Sequence, residues 1–196
     1  MADLERDWPD ICMASGEPVW FLYPERTRVL AADLRVHLPR VIRYNGALPW
    51  SDLQHLALCV GLADLLGFPT SARPYIAAHD LHEAVVGDLP THLKRLVPAY
   101  KDIEHAWEAH VHRSIGLEWP VPEDIAWSVK RIDQVALCVE MDCMGHAMAS
   151  GVATRRGVVV SPFMREVFAR VAELSDEVLW ERVCAALPGL SEVSGG

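Results

Sequence analysis

The chain has 196 residues, a net charge of −9 and an apolar fraction of 51%. This length fits one domain, assigned here to residues 1–196 with a core at about 25–175. The negative charge and the scattered Lys and Arg argue against a nucleic-acid surface, which needs clustered cations. The acidic first residues lack the apolar region of a signal peptide, and no apolar run approaches the roughly 18 residues that span a membrane.

The cysteines favour a cytoplasmic location. Their number is odd and none forms a C-x-x-C pair. We interpret them as small buried apolar side chains in a reducing compartment, rather than as disulfides or a zinc site. They are Cys12, Cys59, Cys138, Cys143 and Cys184.

Apolar residues recur at spacings of three and four, which predicts an all-α protein. Residues 1–24 are expected to form an irregular arm and 194–196 a frayed tail. Ser51 and Gln54 have capping-box spacing, and Gly67 suits a helix end. The predicted helices are 24–38, 51–66, 72–86, 100–117, 122–149, 161–174 and 175–187. The predicted connections are a short turn at 89–94 and a loop or short extended segment at 151–160.

Two imidazoles and two carboxylates lie within five consecutive residues, at His79, Asp80, His82 and Glu83. Burying unpaired charges in an apolar helix costs several kcal/mol, and a divalent metal ion is a natural partner for such groups. Adjacent His79 and Asp80 can converge on an ion that lies between their directions. Glu83 lies one turn further along, on the same side.

Two more polar residues interrupt predicted apolar helices, His55 and Asp133. Taken singly, each is more often a surface residue or an ion-paired one than a metal ligand. Their order relative to the His79-Asp80 pair, with intervals of 24 and 53 residues across three predicted helices, favours a shared site instead.

Residues 79–94 resemble the H-D-x-x-E-x-x-x-G-D-[LI]-P-x-x-x-K pattern of HD-domain phosphohydrolases of the nucleotidase branch. Upstream, residues 43–46 (Arg-Tyr-Asn-Gly) and 50–55 are similar to an R-[YF]-x-G…[WY]-S-V-x-[EQ]-H pattern of phage and bacterial members. The match covers about residues 30–150. It implies an HD-domain helical bundle that binds one divalent ion through His55, His79, Asp80 and Asp133.

The match has departures from the usual pattern. Residues 52–54 (Asp-Leu-Gln) stand where Val-Ala-Glu is more usual before the first histidine, Leu56 replaces a Ser, and Ala47 replaces a frequent His. Asp142 competes with Asp133 as the last ligand, although the residues that flank Asp133 fit better.

The resemblance also implies catalytic roles. Glu83 is the candidate that orients or deprotonates the attacking water. Asp88 is expected to contact the nucleotide sugar or that water, with stabilisation of the turn as an equal alternative. The role of His82 stays open between a substrate contact and none.

Substrate contacts are expected from cationic and aromatic side chains. Arg43 is the candidate phosphate clamp, with Arg40 as its rival, and Tyr44 is expected to stack on the base or sugar. Lys94 either holds a distal phosphate or lies exposed at a helix end. A solvated face is expected to carry His105, His110 and His112.

The expected activity is therefore metal-dependent hydrolysis of deoxynucleotide phosphates. We favour a triphosphohydrolase similar to small phage dATP-cleaving enzymes, over a 5′-deoxynucleotidase acting on monophosphates. A non-catalytic nucleotide-binding protein is the alternative from another class. The mixed ligands suit Mn, Co, Fe, Ni or Zn, and are compatible with Mg. The expected partners are a small nucleotide and further copies of the chain, with no nucleic acid and no membrane.

Overall fold

The computed structural model describes residues 8–190, so the start of the predicted arm and the predicted frayed tail lie outside the described residues. The all-α fold class is confirmed. A two-residue antiparallel pair, β1 (Ile11–Cys12) and β2 (Pro18–Val19), precedes the helices. The helices are α1 (Ala31–His37), α2 (Asp52–Leu66), α3 (Arg73–Ala78), α4 (Glu83–Val86), α5 (Thr91–Lys94), α6 (Pro98–Ser114), α7 (Glu123–Cys143), α8 (Ala149–Arg156), α9 (Pro162–Ala172) and α10 (Asp176–Ala185).

Helix α2 is the centre of the bundle and is packed by α3, α7, α9 and α10. Its predicted capping box is confirmed: the Ser51 hydroxyl accepts from the Gln54 backbone, and the Gln54 side chain accepts from the Ser51 backbone. Gly67 ends the helix with φ 71°, in the left-handed region that favours glycine. Because α2 is buried along most of its length, its few polar side chains must find partners inside the protein.

The apolar core is one cluster around α2. It extends beyond residues 25–175, to Met13 and Val19 on one side and to Leu190 on the other. Trp107 of α6 is fully buried in it, and its indole donates to the carbonyl of Phe21. Among the described helices, none is long and apolar enough to cross a membrane.

The predicted continuous helix 72–86 is wrong, because the chain tightens between α3 and α4. The backbone amides of Leu81 and Glu83 bond to carbonyls only three residues back, at 3.0 Å each. The His79 side chain donates a hydrogen bond to the carbonyl of Ile76, and this bond competes with the regular backbone hydrogen bonds of a helix. The tightened segment 79–82 therefore carries the His-Asp pair.

Two other helix predictions need correction. Helix 24–38 begins only at Ala31, because Thr27 and Leu30 have an extended backbone and the Thr27 carbonyl accepts from His110. Helix 122–149 ends at Cys143, before Gly145 with φ 68°.

The expected loop at 151–160 is largely wrong, because α8 covers its first part. Helix α8 packs on α7, and Val152 joins the core, so tertiary contacts override the β-propensity of the valines. The segment predicted as a turn at 89–94 contains the single-turn helix α5.

All five cysteines are free thiols, as predicted. The expectation that they are all buried is wrong, since Cys12 is exposed and Cys143 and Cys184 are half-buried. Cys59 and Cys138 are fully buried.

Candidate metal centre

The four predicted metal ligands lie around Nε2 of His55, between α2, α7 and the tightened segment. Nε2 of His55 lies 3.2 Å from Nε2 of His79, 3.6 Å from Oδ2 of Asp80 and 3.5 Å from Oδ1 of Asp133. Nε2 of His79 lies 3.2 Å from the same oxygen of Asp80. We call these four residues the quartet.

These separations fit a single ion. Two donors that bind one ion at about 2.1 Å, with an angle of about 100–120° between the bonds, lie about 3.2–3.6 Å apart. His55 is fully buried, and 40% of the Asp133 side chain is exposed, so the centre is open on the Asp133 side.

In the neutral form of each ring, the two histidines present Nε2 lone pairs to this centre. Nδ1 of His79 donates to the Ile76 carbonyl at 2.8 Å, which leaves Nε2 as the acceptor in the neutral ring. Nδ1 of His55 lies 2.6 Å from a carboxylate oxygen of Glu140, which favours the same tautomer. Two lone pairs 3.2 Å apart repel each other unless a proton or a metal ion lies between them.

The electrostatics of the quartet also favour a bound cation. Burial disfavours a charged His79, but the carboxylates of Asp80 and Asp133 outweigh it and raise the pKa of His79 to about 9. Burial likewise opposes ionisation of Asp80, yet His79, His55 and Arg43 hold the pKa of Asp80 well below its usual range. The site thus stabilises positive charge among its own acidic groups.

Sequence reasoning missed Glu140, which supports the quartet from α7. It follows Asp133 by seven residues, two helical turns along the same face. Besides His55, it accepts from the Tyr44 hydroxyl at 2.5 Å, and it lies 3.5 Å from Nε of Arg43. Burial opposes its charge, but His55 and Arg43 lower the pKa of Glu140 to about 2. The sequence did contain a signal for Glu140, because it is an acidic residue within the apolar end of α7.

Arg43 connects the quartet to its surroundings. Its Nη1 atom lies 3.4 Å from Asp80 and 3.5 Å from Asp52, a fully buried carboxylate on α2. In the sequence, Asp52 stands out only as one of the residues that depart from the family pattern. Its spacing of three residues from His55 places both on one face of the helix.

The loop that carries Arg43 has a strained backbone. Tyr44 and Asn45 adopt φ 57° and 53°, and Gly46 follows with φ 76°. Non-glycine residues in this region cost of order 1–3 kcal/mol each and occur where the surroundings fix them. Here the Tyr44–Glu140 hydrogen bond holds the loop over the quartet.

A second group of charges lies beside the quartet, and we call it the lysine cluster: Glu83, Asp88, Lys94 and Glu104. The Lys94 ammonium lies 3.2 Å from Glu83 and 3.9 Å from Asp88, and it also pairs closely with Glu104. Despite burial, these acids raise the pKa of Lys94 above its usual range. Lys94 is therefore a largely buried cation that is paired with acidic side chains.

Glu83 faces three other acids. Oxygens of Glu83, Asp52 and Asp88 lie within 4.8 Å of one another. Burial and the charges of Asp80, Asp52 and Asp88 raise the pKa of Glu83 well above its usual range, and burial raises the pKa of Asp52 to about 6. These close acids therefore disfavour one another's ionisation.

His82 contacts the lysine cluster, not the quartet. It is buried, and its Nε2 lies 3.8 Å from Glu104. Among the described residues, neither of its ring nitrogens has a hydrogen-bond partner.

Two cavities open beside the centre. The first has a volume of about 580 Å³ and is bordered by Tyr44, Asp88 and four arginines, namely Arg43, Arg95, Arg155 and Arg156. The second has a volume of about 520 Å³ and is bordered by His79, Asp80 and Asp133 of the quartet, with Lys94 and Trp119. The second cavity borders the quartet directly, whereas the first is connected to it through Arg43, which lies 3.4 Å from Asp80.

Two sequence expectations are changed by these positions. Arg40 is exposed and is absent from the described residues that border the two cavities. Because Arg43 borders the first cavity, the geometry favours Arg43 as the clamp. The solvated face predicted for three α6 histidines is wrong for His112, which is 1% exposed and stacks near Tyr75.

No protein-family model matches the chain. Among curated proteins, it is similar to the uncharacterized protein YfdR of Escherichia coli (strain K12), with 29% identity over 133 residues. The similarity covers 67% of this chain and 70% of YfdR. The name of YfdR assigns no activity, so function must be argued from the site.

Proposed function

We propose that the protein is a metal-dependent phosphohydrolase of the HD-domain type that acts on deoxynucleotides, preferring triphosphates. The observation that carries the proposal is the grouping of His55, His79, Asp80 and Asp133, with the Nε2 atoms of both histidines 3.2 Å apart. The donor set suits Mn, Co, Fe, Ni or Zn. When bound there, such an ion polarises a phosphoryl oxygen and acidifies water.

Arg43 positions the scissile phosphate in this proposal. Its guanidinium borders the first cavity and lies 3.4 Å from Asp80, so a phosphate at the quartet is within its reach. Asp52, Asp80 and Glu140 hold it in place, which reduces the conformational entropy lost when a phosphate binds. Arginine suits this role because its fork matches phosphate oxygens.

Glu83 is the proton-transfer residue. Burial beside three other acids raises the pKa of Glu83 well above its usual range, which makes its carboxylate a stronger proton acceptor. It would take a proton from the attacking water at a carboxylate oxygen and return it to the leaving oxygen. Lys94 contacts Oε1 of Glu83, which fixes the orientation of the carboxyl group.

The arginines of the first cavity support a triphosphate substrate over a monophosphate. Arg95, Arg155 and Arg156 add three cations beyond the clamp, in a chain whose net charge is −9. One phosphate at the quartet requires Arg43 alone, whereas a polyphosphate chain gives the other arginines a function. Tyr44 borders the same cavity, and because its hydroxyl bonds to Glu140, its ring is the part available to substrate.

The test is a panel of dNTPs and dNMPs incubated with chelated protein, without metal and then with added Mn or Co. We expect metal-dependent turnover of dNTPs, with the released phosphate species identified. Asp133→Asn should abolish turnover, whereas Asp142→Asn should not, because Asp142 pairs with Arg165 at the surface.

The outcomes separate the alternatives. Turnover of monophosphates alone would replace the triphosphohydrolase with a 5′-deoxynucleotidase. Inertness toward the whole panel with metal bound would contradict the enzyme. Arg155→Gln should weaken dNTP turnover more than dNMP turnover, and Arg170→Gln, which changes an exposed arginine paired with Glu166, is its matched control.

A further inference from the structure

A cysteine thiol shares the Nε2 face of His55 with the quartet. Cys59 follows His55 by four residues, so the two side chains lie on the same face of α2. Sγ of Cys59 lies 3.5 Å from Nε2 of His55 and within 4.8 Å of a ring nitrogen of His79. Cys59 is fully buried, so the thiol faces protein groups and not solvent.

This position fits a bond between sulfur and the metal. A metal ion lies about 2.1 Å from a histidine nitrogen and about 2.3 Å from a cysteine sulfur. With these lengths, the 3.5 Å between Nε2 and Sγ corresponds to an angle of about 105° at the ion. That angle is close to tetrahedral and falls within the range of the angles obtained for the quartet.

We propose that Cys59 is an additional ligand of the divalent ion and makes the centre selective for Zn, Co or Fe over Mg and Mn. The inference rests on the metal centre of the proposed function. On binding, the thiol loses its proton to solvent and a sulfur–metal bond forms. Thiolate is a soft ligand that favours the later ions, whereas Mg and Mn prefer oxygen.

The competing explanation is that Cys59 only packs the core, as buried cysteines commonly do. Cys138 is a matched control for that role, because it is also a free thiol with 0% exposure. Polar contact with a quartet histidine is the feature that distinguishes Cys59 from a packing residue.

The experiment is a titration of chelated protein with Co(II) under reducing, anaerobic conditions, followed by near-ultraviolet absorbance and metal analysis. Wild type and Cys138→Ala should bind one ion per chain and show a sulfur-to-cobalt charge-transfer band. Cys59→Ser and Cys59→Ala should still bind cobalt through the quartet but lack the band. Their cobalt affinity should fall by at least the ~10-fold that follows loss of an outer-shell partner.

The outcomes are distinct. Cobalt bound to wild type without the band, or a band that persists in Cys59→Ser, would overturn the Cys59 ligand alone. Failure of wild type to bind cobalt would overturn the metal centre and the inference together. Should both Cys59 variants misfold by circular dichroism, X-ray absorption of cobalt-loaded wild type decides, because sulfur at about 2.3 Å is distinguishable from nitrogen and oxygen ligands.

Discussion

The quartet and the lysine cluster lie side by side and both contain closely spaced carboxylates, yet they differ in what neutralises them. In the lysine cluster, the ammonium of Lys94 lies among Glu83, Asp88 and Glu104. In the quartet, two lone pairs and two carboxylates converge, and among the described residues the only Arg or Lys in contact is Arg43, at Asp80. The two groups of close carboxylates therefore differ in their partners. Acids around one ammonium form an internal ion-pair cluster, whereas acids beside two histidine nitrogens offer the mixed nitrogen and oxygen donors that a divalent ion binds.

The largest expected effect is at the quartet. Asp80→Ala should remove the metal and, with it, several kcal/mol of charge stabilisation in the transition state, which corresponds to about a 10³-fold loss of turnover. The fold should persist, because the surrounding helices retain their core. Metal analysis, kinetics and thermal melting check this, with Asp142→Ala as the surface control. Global unfolding of Asp80→Ala would indicate a structural site.

Glu83→Gln tests whether Glu83, a member of the lysine cluster, transfers the proton without being a metal ligand. The change keeps the shape but removes the group that takes and returns the proton, so turnover should fall by about 10²-fold or more. Bound metal should stay near wild type, since Glu83 is outside the quartet. Steady-state kinetics and metal content together check the assignment, and a loss of metal would move Glu83 into the ligand set.

Glu140→Gln should weaken metal binding without touching the ligands. The amide keeps a similar volume but no longer fixes the tautomer and orientation of His55, so metal affinity should fall by about 10–100-fold. Competition with a chelator measures the change. Glu166→Gln, a surface acid paired with Arg170, is the control. If the metal affinity of Glu140→Gln were unchanged, Glu140 would not support the metal site and would only pack against its neighbours.

Lys94→Met tests the lysine cluster by removing its internal cation. Three acids would then face one another, and we expect a loss of about 2 kcal/mol in the free energy of unfolding, reduced from the value for a fully buried pair because 20% of the side chain is exposed. Urea unfolding of chelated protein measures it, with exposed Lys101→Met alongside. Equal stability of the two variants would contradict the neutralising role.

The smallest effect concerns His112, which is buried outside both clusters. Burial lowers the pKa of His112 to about 4, so the unfolded chain binds more protons between about pH 6.5 and 4. Stability should therefore fall as the pH drops through this window, by about 1 kcal/mol between pH 6.5 and 5.5. Urea unfolding of chelated His112→Gln should show a flatter dependence, and exposed His92→Gln should match wild type.

The four residues of the quartet could be named from sequence because the resemblance to the HD-domain pattern implies them. The structure brings these four together, although His79 and Asp80 lie in the tightened segment and not in a helix. The capping box at Ser51 was local, since it depends on residues three apart. Features set within one helical turn are those that a sequence pattern specifies.

The supporting residues were missed because their roles depend on distant contacts. Glu140 acquires its role from His55, 85 positions away, and from the loop at Tyr44. Lys94 was expected either to hold a distal phosphate or to lie exposed at a helix end, but folding brings three acids around its ammonium. The break between α3 and α4 was also unpredicted, because the competition of the His79 side chain for a carbonyl has no composition signal.

The most direct test of the central claim is metal analysis of wild type, Lys94→Met and His79→Ala after chelation and reloading with Co or Zn. The account predicts one ion per chain in wild type and in Lys94→Met, and essentially none in His79→Ala, because the ion is held by the quartet, to which His79 belongs and Lys94 does not. Retention of the ion in His79→Ala, or its loss in Lys94→Met alone, would contradict the account.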